Sequence, residues 1–198
     1  KKVTIFTGLT DAKKSLSAHD NKILELVYEE NIPVEVIPSL TDRVSLTKDI
    51  KSLFKLYKLL KTYKPSVVHI HSSKTGILGR LACKFLNVEK IIYHVHGWSF
   101  SSSSGFSYKL YLFLEKWFYS FTTEYIFVCK QDMIDFIDLG GNSQIRSKSH
   151  VIYPGAYFLN QNKVEEARTE LRKKLEINDN DHVIGTVARL DYQKNPQI

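Results

Sequence analysis

Apolar residues along this chain switch between two periods, and the switching predicts its architecture. Short β-branched runs bounded by Gly, Pro or Asn read as strands: KKVTIFTG (1–8), IPVEVIPSL (32–40), SVVHIH (66–71), KIIYHVH (90–96), EYIFVC (124–129) and SHVIYPG (149–155). Between them apolar positions recur every three to four residues, the period of a helix with one buried face. Helices are predicted from Asp20 to Glu30, behind Thr47 over Lys48–Lys64, and over Thr75–Asn87, Gly105–Phe121 and Lys130–Gly140. Strands alternating with helices imply an α/β fold, a doubly wound parallel sheet with right-handed crossovers and helices on both faces. Strands that are apolar almost throughout agree with burial on both faces.

Past YPGAY (153–157) the character changes. A charged helix, Lys163–Ile177, and a strand, His182–Leu190, bury too little apolar surface to stand as a domain. Residues 1–158 therefore read as one domain and 159–198 as the beginning of a second, cut off within it. The chain opens on Lys1-Lys2 without Met, so an earlier segment is expected as well.

Composition narrows the class. Of 198 residues, 43% are hydrophobic and 25% charged, enough apolar material for a globular core. The net charge of +7 favours anionic partners: phosphorylated ligands, acidic lipid or nucleic acid. No recognised motif accompanies the charge, which argues against nucleic acid. Cys83 and Cys129 lie far apart without a CxxC, as fits a reducing cytoplasm. No apolar run reaches the roughly 18 residues of a spanning helix.

Candidate chemistry gathers at strand ends, where open α/β sheets bind ligands. His69 and His71 share one strand face by the two-residue alternation, and so do His94 and His96. If the two strands are neighbours, these imidazoles converge. His-x-His is a zinc-ligand spacing, but hydrolytic zinc sites recruit carboxylates too, and Asp and Glu are absent from both strand ends. Strand-end hydrogen bonding is the plain reading for His69 and His94, and a crevice role for His71 and His96. After His71, Ser72, Ser73, Lys74 and Gly76 lead into a helix whose amide end favours an anion, although the order is not that of a P-loop.

Two helices carry unusual surfaces. Lys48, Lys51, Lys55, Lys58 and Lys61 form one stripe opposite Ile50, Leu53, Phe54, Tyr57 and Leu60. The stripe is a solvated outer face or a surface for anionic lipid. The helix from Phe106 to Phe121 is dense in aromatics, which suit a core or a membrane interface. In VARLDYQKNP, Arg189 ends a strand and Lys194 follows five residues later, a pair able to clamp a diphosphate.

Taken in order, VHIHSSKTGILGRLA, HGWSF, Glu115 in LEKWF, EYIFVC, VIYPG and RLDYQKNP resemble the retaining glycosyltransferases of family 4, closest to the branch that builds capsular and exopolysaccharides. The resemblance covers nearly the whole chain. It implies two Rossmann-like domains of the GT-B fold, a nucleotide-sugar donor, commonly a UDP-sugar, and a polyprenyl-diphosphate-linked or glycan acceptor at the inner membrane surface. Arg189 and Lys194 would hold the donor diphosphate and His96 would contact the transferred sugar. His71, Ser72, Ser73, Lys74 and Gly97 would lie on the acceptor side, with Gly97–Phe100 leading out toward it. Lys51, Lys55 and Lys58 would face an anionic membrane. No resident metal or cofactor is implied.

The sequence also departs from that family. Val3–Gly8 looks like the family's second strand, so its glycine-rich first unit is expected to be missing, as are the two later glutamates spaced eight apart. Tyr93-His94 stands where His-Thr is more usual, so His94 carries no inherited role. Ala156-Tyr157 replaces the common Val/Ile-Asp pair. These 198 residues alone are not expected to turn over. Two rivals remain: a zinc-dependent hydrolase using the histidine pairs, and a non-catalytic module binding acidic lipid through the lysine helix.

Overall fold

The computed structural model describes residues 2–8, 25–41, 44–98, 100, 104–140, 142–155 and 160–185. The chain divides into two compact units, Lys1–Tyr153 and Pro154–Ile198.

The first unit alternates strand and helix. Its elements are β1 (Ile5–Gly8), β2 (Val34–Ile37), α1 (Leu46–Tyr63), β3 (Val67–His71), α2 (Ser73–Phe85), β4 (Lys90–Val95), α3 (Gly105–Phe118), β5 (Glu124–Phe127), α4 (Lys130–Asp138) and β6 (Ser149–Val151). Residues 25–29 are also helical. A 3-10 helix, Ser143–Lys148, precedes β6 and was not evident from periodicity, since its only buried residue is Ile145. Among the described residues every strand pairing is parallel, as expected, and the strands fall into a β1-β2 pair and a four-stranded sheet ordered β3-β4-β5-β6.

Strand alternation sets the core. In β4, Ile91, Tyr93 and Val95 are buried while His94 points the other way. Tyr125 and Phe127 of β5 join them, and Trp98, Phe100, Met133 and Phe136 extend the same cluster. Trp98 and Phe100 therefore do not lead out toward a cleft. Both are buried, Trp98 stacks on Phe100 and Phe136, and its indole N–H donates to the Asp132 carbonyl at 2.5 Å. The apolar bulk of the two rings outweighs their position beside a strand end.

Helix α1 starts two residues before the position that a Thr47 cap would give. Ser45 is the N-cap, and its backbone N–H donates to the Asp49 carboxylate at 3.0 Å. The helix stops where Lys64 turns left-handed and donates its N–H to the Leu60 carbonyl, with Pro65 barring continuation. Its buried face is Ser52, Leu56, Leu59 and Leu60. The apolar arc is wider than this face, so Ile50 and Phe54, expected to oppose the lysines in the core, stand out in solvent at 47% and 63% exposure. Leu46 is exposed beside them.

Glycine lets α2 approach the sheet. A Cβ on Gly76 would stand 2.6 Å from the Tyr93 ring, and one on Gly79 would stand 3.1 Å from Ile70. The Tyr93 ring cannot retreat easily, because Arg80 lies across it, its guanidinium carbon 4.0 Å from the ring centre. Gly76→Ala is expected to destabilise the protein by about 1–3 kcal/mol through overpacking, despite alanine's better helix propensity. Urea unfolding measures it, and an unchanged midpoint would contradict this packing.

Arg80 and Glu115 form an ion pair inside the core, with side chains 0% and 1% exposed. The guanidinium donates to the Glu115 carboxylate at 2.9 Å and to the Gly76 carbonyl at 2.6 Å. Tyr93 and Phe118 flank its carbon at 4.0 and 4.5 Å. Arg80 Nη1 has no hydrogen-bond partner, and these two ring faces supply part of the compensation. Glu115 thus ties α3 to α2.

In the second unit, α5 (Gln161–Lys174) is capped by the Asn160 side chain, which accepts from the Asn162 N–H at 2.9 Å. None of its residues is buried. The strand expected over 182–190 is absent from 182–185, and its remainder lies outside the described residues, together with Arg189 and Lys194.

Candidate functional site

The sheet brings both His-x-His pairs to one place. β3 and β4 are adjacent, and their register sets His71 opposite His94. Alternation then puts His69, His71, His94 and His96 on one face, away from Ile70, Tyr93 and Val95. His69 stacks on His94 with ring centres 5.4 Å apart, and His94 on His96 at 4.4 Å. His71 Nδ1 lies 3.1 Å from His96 Nε2, so one imidazole N–H donates to the other ring. The two strands are neighbours, and the imidazoles converge as that adjacency requires.

Crowding disfavours the charged form of His69, His71 and His94. Water reaches the edge of His71, yet the ring is surrounded closely enough that burial, aided by the other three imidazoles, lowers its pKa to about 4. Burial chiefly lowers His69 and His94 as well, with His96 adding to both. A charged form here loses hydration and meets like-charged neighbours. Neutral imidazoles present one donor and one acceptor each, the complement of a sugar hydroxyl or a metal ion.

The turn after β3 is strained. Ser72 has φ 65° and ψ 158°, a region that residues with a Cβ almost never occupy. Its carbonyl accepts the Gly76 N–H at 2.8 Å, and its hydroxyl makes no capping bond to α2. Such a conformation costs about 1–3 kcal/mol and persists only where surrounding structure imposes it. Ser73 opens α2 and is half-buried. After β4, Gly97 has φ 118° with open space where a side chain would be, a position only glycine fills without strain.

Lys74 is engaged elsewhere. Its Nζ lies 2.6 Å from the Asp49 carboxylate and donates to the Thr41 carbonyl at 2.7 Å. The pair offsets the unfavourable cation in the first turn of α2 and joins that helix to α1. Lys51, Lys55 and Lys58 are exposed along α1, next to exposed Leu46, Ile50 and Phe54. On α3, Phe106, Leu110, Phe113 and Trp117 are exposed at helical spacing, while Phe118 is buried. The aromatic helix thus divides between core and surface. Among the described residues no helix is long and apolar enough to cross a membrane.

Two features of this site are not legible in the sequence. The strain at Ser72 has no sequence mark beyond a serine where a glycine would fit. The Asp49–Lys74 link joins residues 25 apart and depends on how two helices pack.

Comparison with known proteins adds the lineage. The family model for Glycosyltransferase Family 4 matches residues 2–156. A curated relative from Escherichia coli, UDP-Gal:alpha-D-GlcNAc-diphosphoundecaprenol alpha-1,3-galactosyltransferase, is 35% identical over 170 residues, 85% of this chain and 43% of its own. The capsular polysaccharide biosynthesis glycosyltransferase CapM from Staphylococcus aureus is 28% identical over 199 residues, 92% of this chain and 48% of its own. The chain thus spans about half the length of these relatives. Among solved structures, Anabaena Alr3699/HepE in complex with UDP and glucose aligns with TM-score 0.54 and 20% identity, over 84% of this chain and 42% of that one. A glycosyltransferase from Rickettsia africae aligns with TM-score 0.52 and 16% identity, over 90% and 51%. These likenesses show the fold, the parallel α/β architecture of GT-B glycosyltransferases. With the match covering most of its length, the chain belongs to glycosyltransferase family 4.

Proposed function

We propose that this chain is the acceptor-side part of a glycosyltransferase of cell-surface polysaccharide biosynthesis. It moves a sugar, with retention, from a nucleotide-sugar to a lipid-linked or glycan acceptor. The observation that carries the reading is the His71–His96 contact at the carboxyl ends of adjacent parallel strands, in a chain of this family. A UDP-sugar donor is supported by the UDP in the Anabaena structure and by the name of the Escherichia coli relative, which also names a diphosphoundecaprenol acceptor.

In this reading His96 hydrogen-bonds the transferred sugar. His71, Ser72, Ser73 and Gly97 line the acceptor side, and Lys74 stands at its rim. Arg189 and Lys194 hold the donor diphosphate and stabilise charge growing on the leaving group. Preorganised cations and imidazoles supply the stabilisation, and no resident metal or cofactor takes part. A polyprenyl-linked acceptor sits in a membrane, so the enzyme works at the cytoplasmic face. Lys51, Lys55 and Lys58 meet anionic headgroups while Leu46, Ile50 and Phe54 enter the interface.

The complete gene product, supplied with UDP-sugars and a polyprenyl-diphosphate-linked sugar on anionic vesicles, is expected to yield a glycosylated lipid with the donor's anomeric configuration. Sedimentation with the vesicles is expected to fall on changing Ile50 and Phe54 to Ser. Donor hydrolysis without transfer, or an inverted product, would sink the reading. Unchanged sedimentation would remove α1 from it.

A further inference from the structure

Both ring nitrogens of His94 are shielded from water and lack a hydrogen-bond partner. A buried imidazole in that state has lost its hydration with nothing in return. What surrounds it is more imidazole. Ligand atoms of His69, His71 and His94 all lie within 4.8 Å of one another, with no carboxylate or thiolate in the group.

We propose that His69, His71 and His94 form a binding site for one borderline divalent transition ion of the Zn²⁺ class, with His96 orienting His71 from outside. Neutral nitrogen donors suit zinc, nickel, copper or cobalt and reject magnesium and calcium, which require oxygen. Zinc–nitrogen bonds of about 2.0–2.1 Å in a tetrahedral field place neighbouring donors about 3.3 Å apart. Small side-chain rotations close the present spacing to that value.

The scaffold favours the site. Two ligands are register partners on adjacent strands and the third lies two residues back on the same face. Their backbones are therefore fixed by the sheet. When His71 Nδ1–H donates to His96 Nε2, at 3.1 Å, its tautomer is set and Nε2 is left for the ion. Three nitrogens leave a fourth position for water or an oxygen of a bound molecule.

Because His71 and His96 also line the sugar-transfer side of the proposed crevice, the occupied site excludes the acceptor. The ion is a reversible inhibitor here, not a cofactor.

The test reads binding, so it stands or falls apart from sugar transfer. The untagged protein is titrated with Co²⁺ and followed by its visible absorption, then with Zn²⁺ by calorimetry. One ion per chain is expected, with a four-coordinate cobalt spectrum that Zn²⁺ abolishes and Mg²⁺ does not. His69→Gln, at a solvent-reached position that does not threaten folding, is expected to weaken binding about 10- to 100-fold. His94→Phe is expected to do the same and to lose the rise in melting temperature that Zn²⁺ gives the parent. Absence of a stoichiometric ion overturns the proposal. So does binding that is unchanged in His69→Gln, which would place the ion on other histidines.

Discussion

Replacing Arg80 with Ala is expected to destabilise the protein by about 3–5 kcal/mol, a large part of the stability of an ordinary domain. The size follows from what remains. Glu115 would be left in a core where its side chain is 1% exposed, facing no cation, and would have to stay charged or take up a proton, each at a cost. Burial already pushes its carboxyl above the usual carboxylate range, and Arg80 opposes that push. The Tyr93 and Phe118 rings would also lose the group between them. Glu115→Ala is expected to do comparable damage by stranding the guanidinium. Changing both together, Arg80→Met with Glu115→Leu, is expected to be far milder, since apolar replacements of similar volume often match a buried pair. Urea unfolding of the four proteins checks this. A double variant as unstable as either single one would mean that packing, not charge, dominates here.

His96→Ala is expected to lower sugar transfer by about 10²- to 10³-fold in the complete gene product, the usual loss when one preorganised donor at a reacting group is removed. The fall should lie in kcat more than in KM if His96 acts on the sugar as the donor bond breaks. Far-UV circular dichroism should be unchanged, because the ring is solvent-exposed at the strand end. His150→Ala is the control: an exposed ring on β6, 3.3 Å from Glu124, with no place in the crevice. It should keep parent activity. A His96→Ala protein with parent kcat would remove this histidine from the chemistry and leave the crevice with a binding role only.

The sequence was informative where one local rule acts alone. Period-two and helical patterns located β3, α2, β4 and α3 to within a few residues, because each apolar run is bounded by polar, Gly or Asn stop signals. Alternation also placed four histidines on one side of two strands, and only their adjacency had to come from the fold. Elsewhere several faces competed. The apolar arc of α1 covers more than half of its circumference, so periodicity could not choose which part faces inward, and Ile50 and Phe54 were assigned to the wrong side. Trp98 and Phe100 follow a strand end, as ligand-binding residues do, but the core claims them: Trp98 stacks on Phe136, and Phe100 on Trp98. Arg80 and Glu115 look like surface charges on helices until tertiary structure shows that their partner is each other.

The parallel ladders have a consequence for how this unit is made. Each pairing joins residues more than twenty positions apart, whether β1 with β2 or β5 with β6. Among the described residues no hairpin offers a cheap first contact, and these ladders must wait for the chain between their strands to fold back. Loop-closure entropy is thus spent before sheet hydrogen bonds return it, which places such a topology among slower folders. During that interval strand edges and the apolar faces of α1 and α3 stand open together. A nascent chain of this kind depends on how quickly α2 docks, through its two glycines, onto β3 and β4.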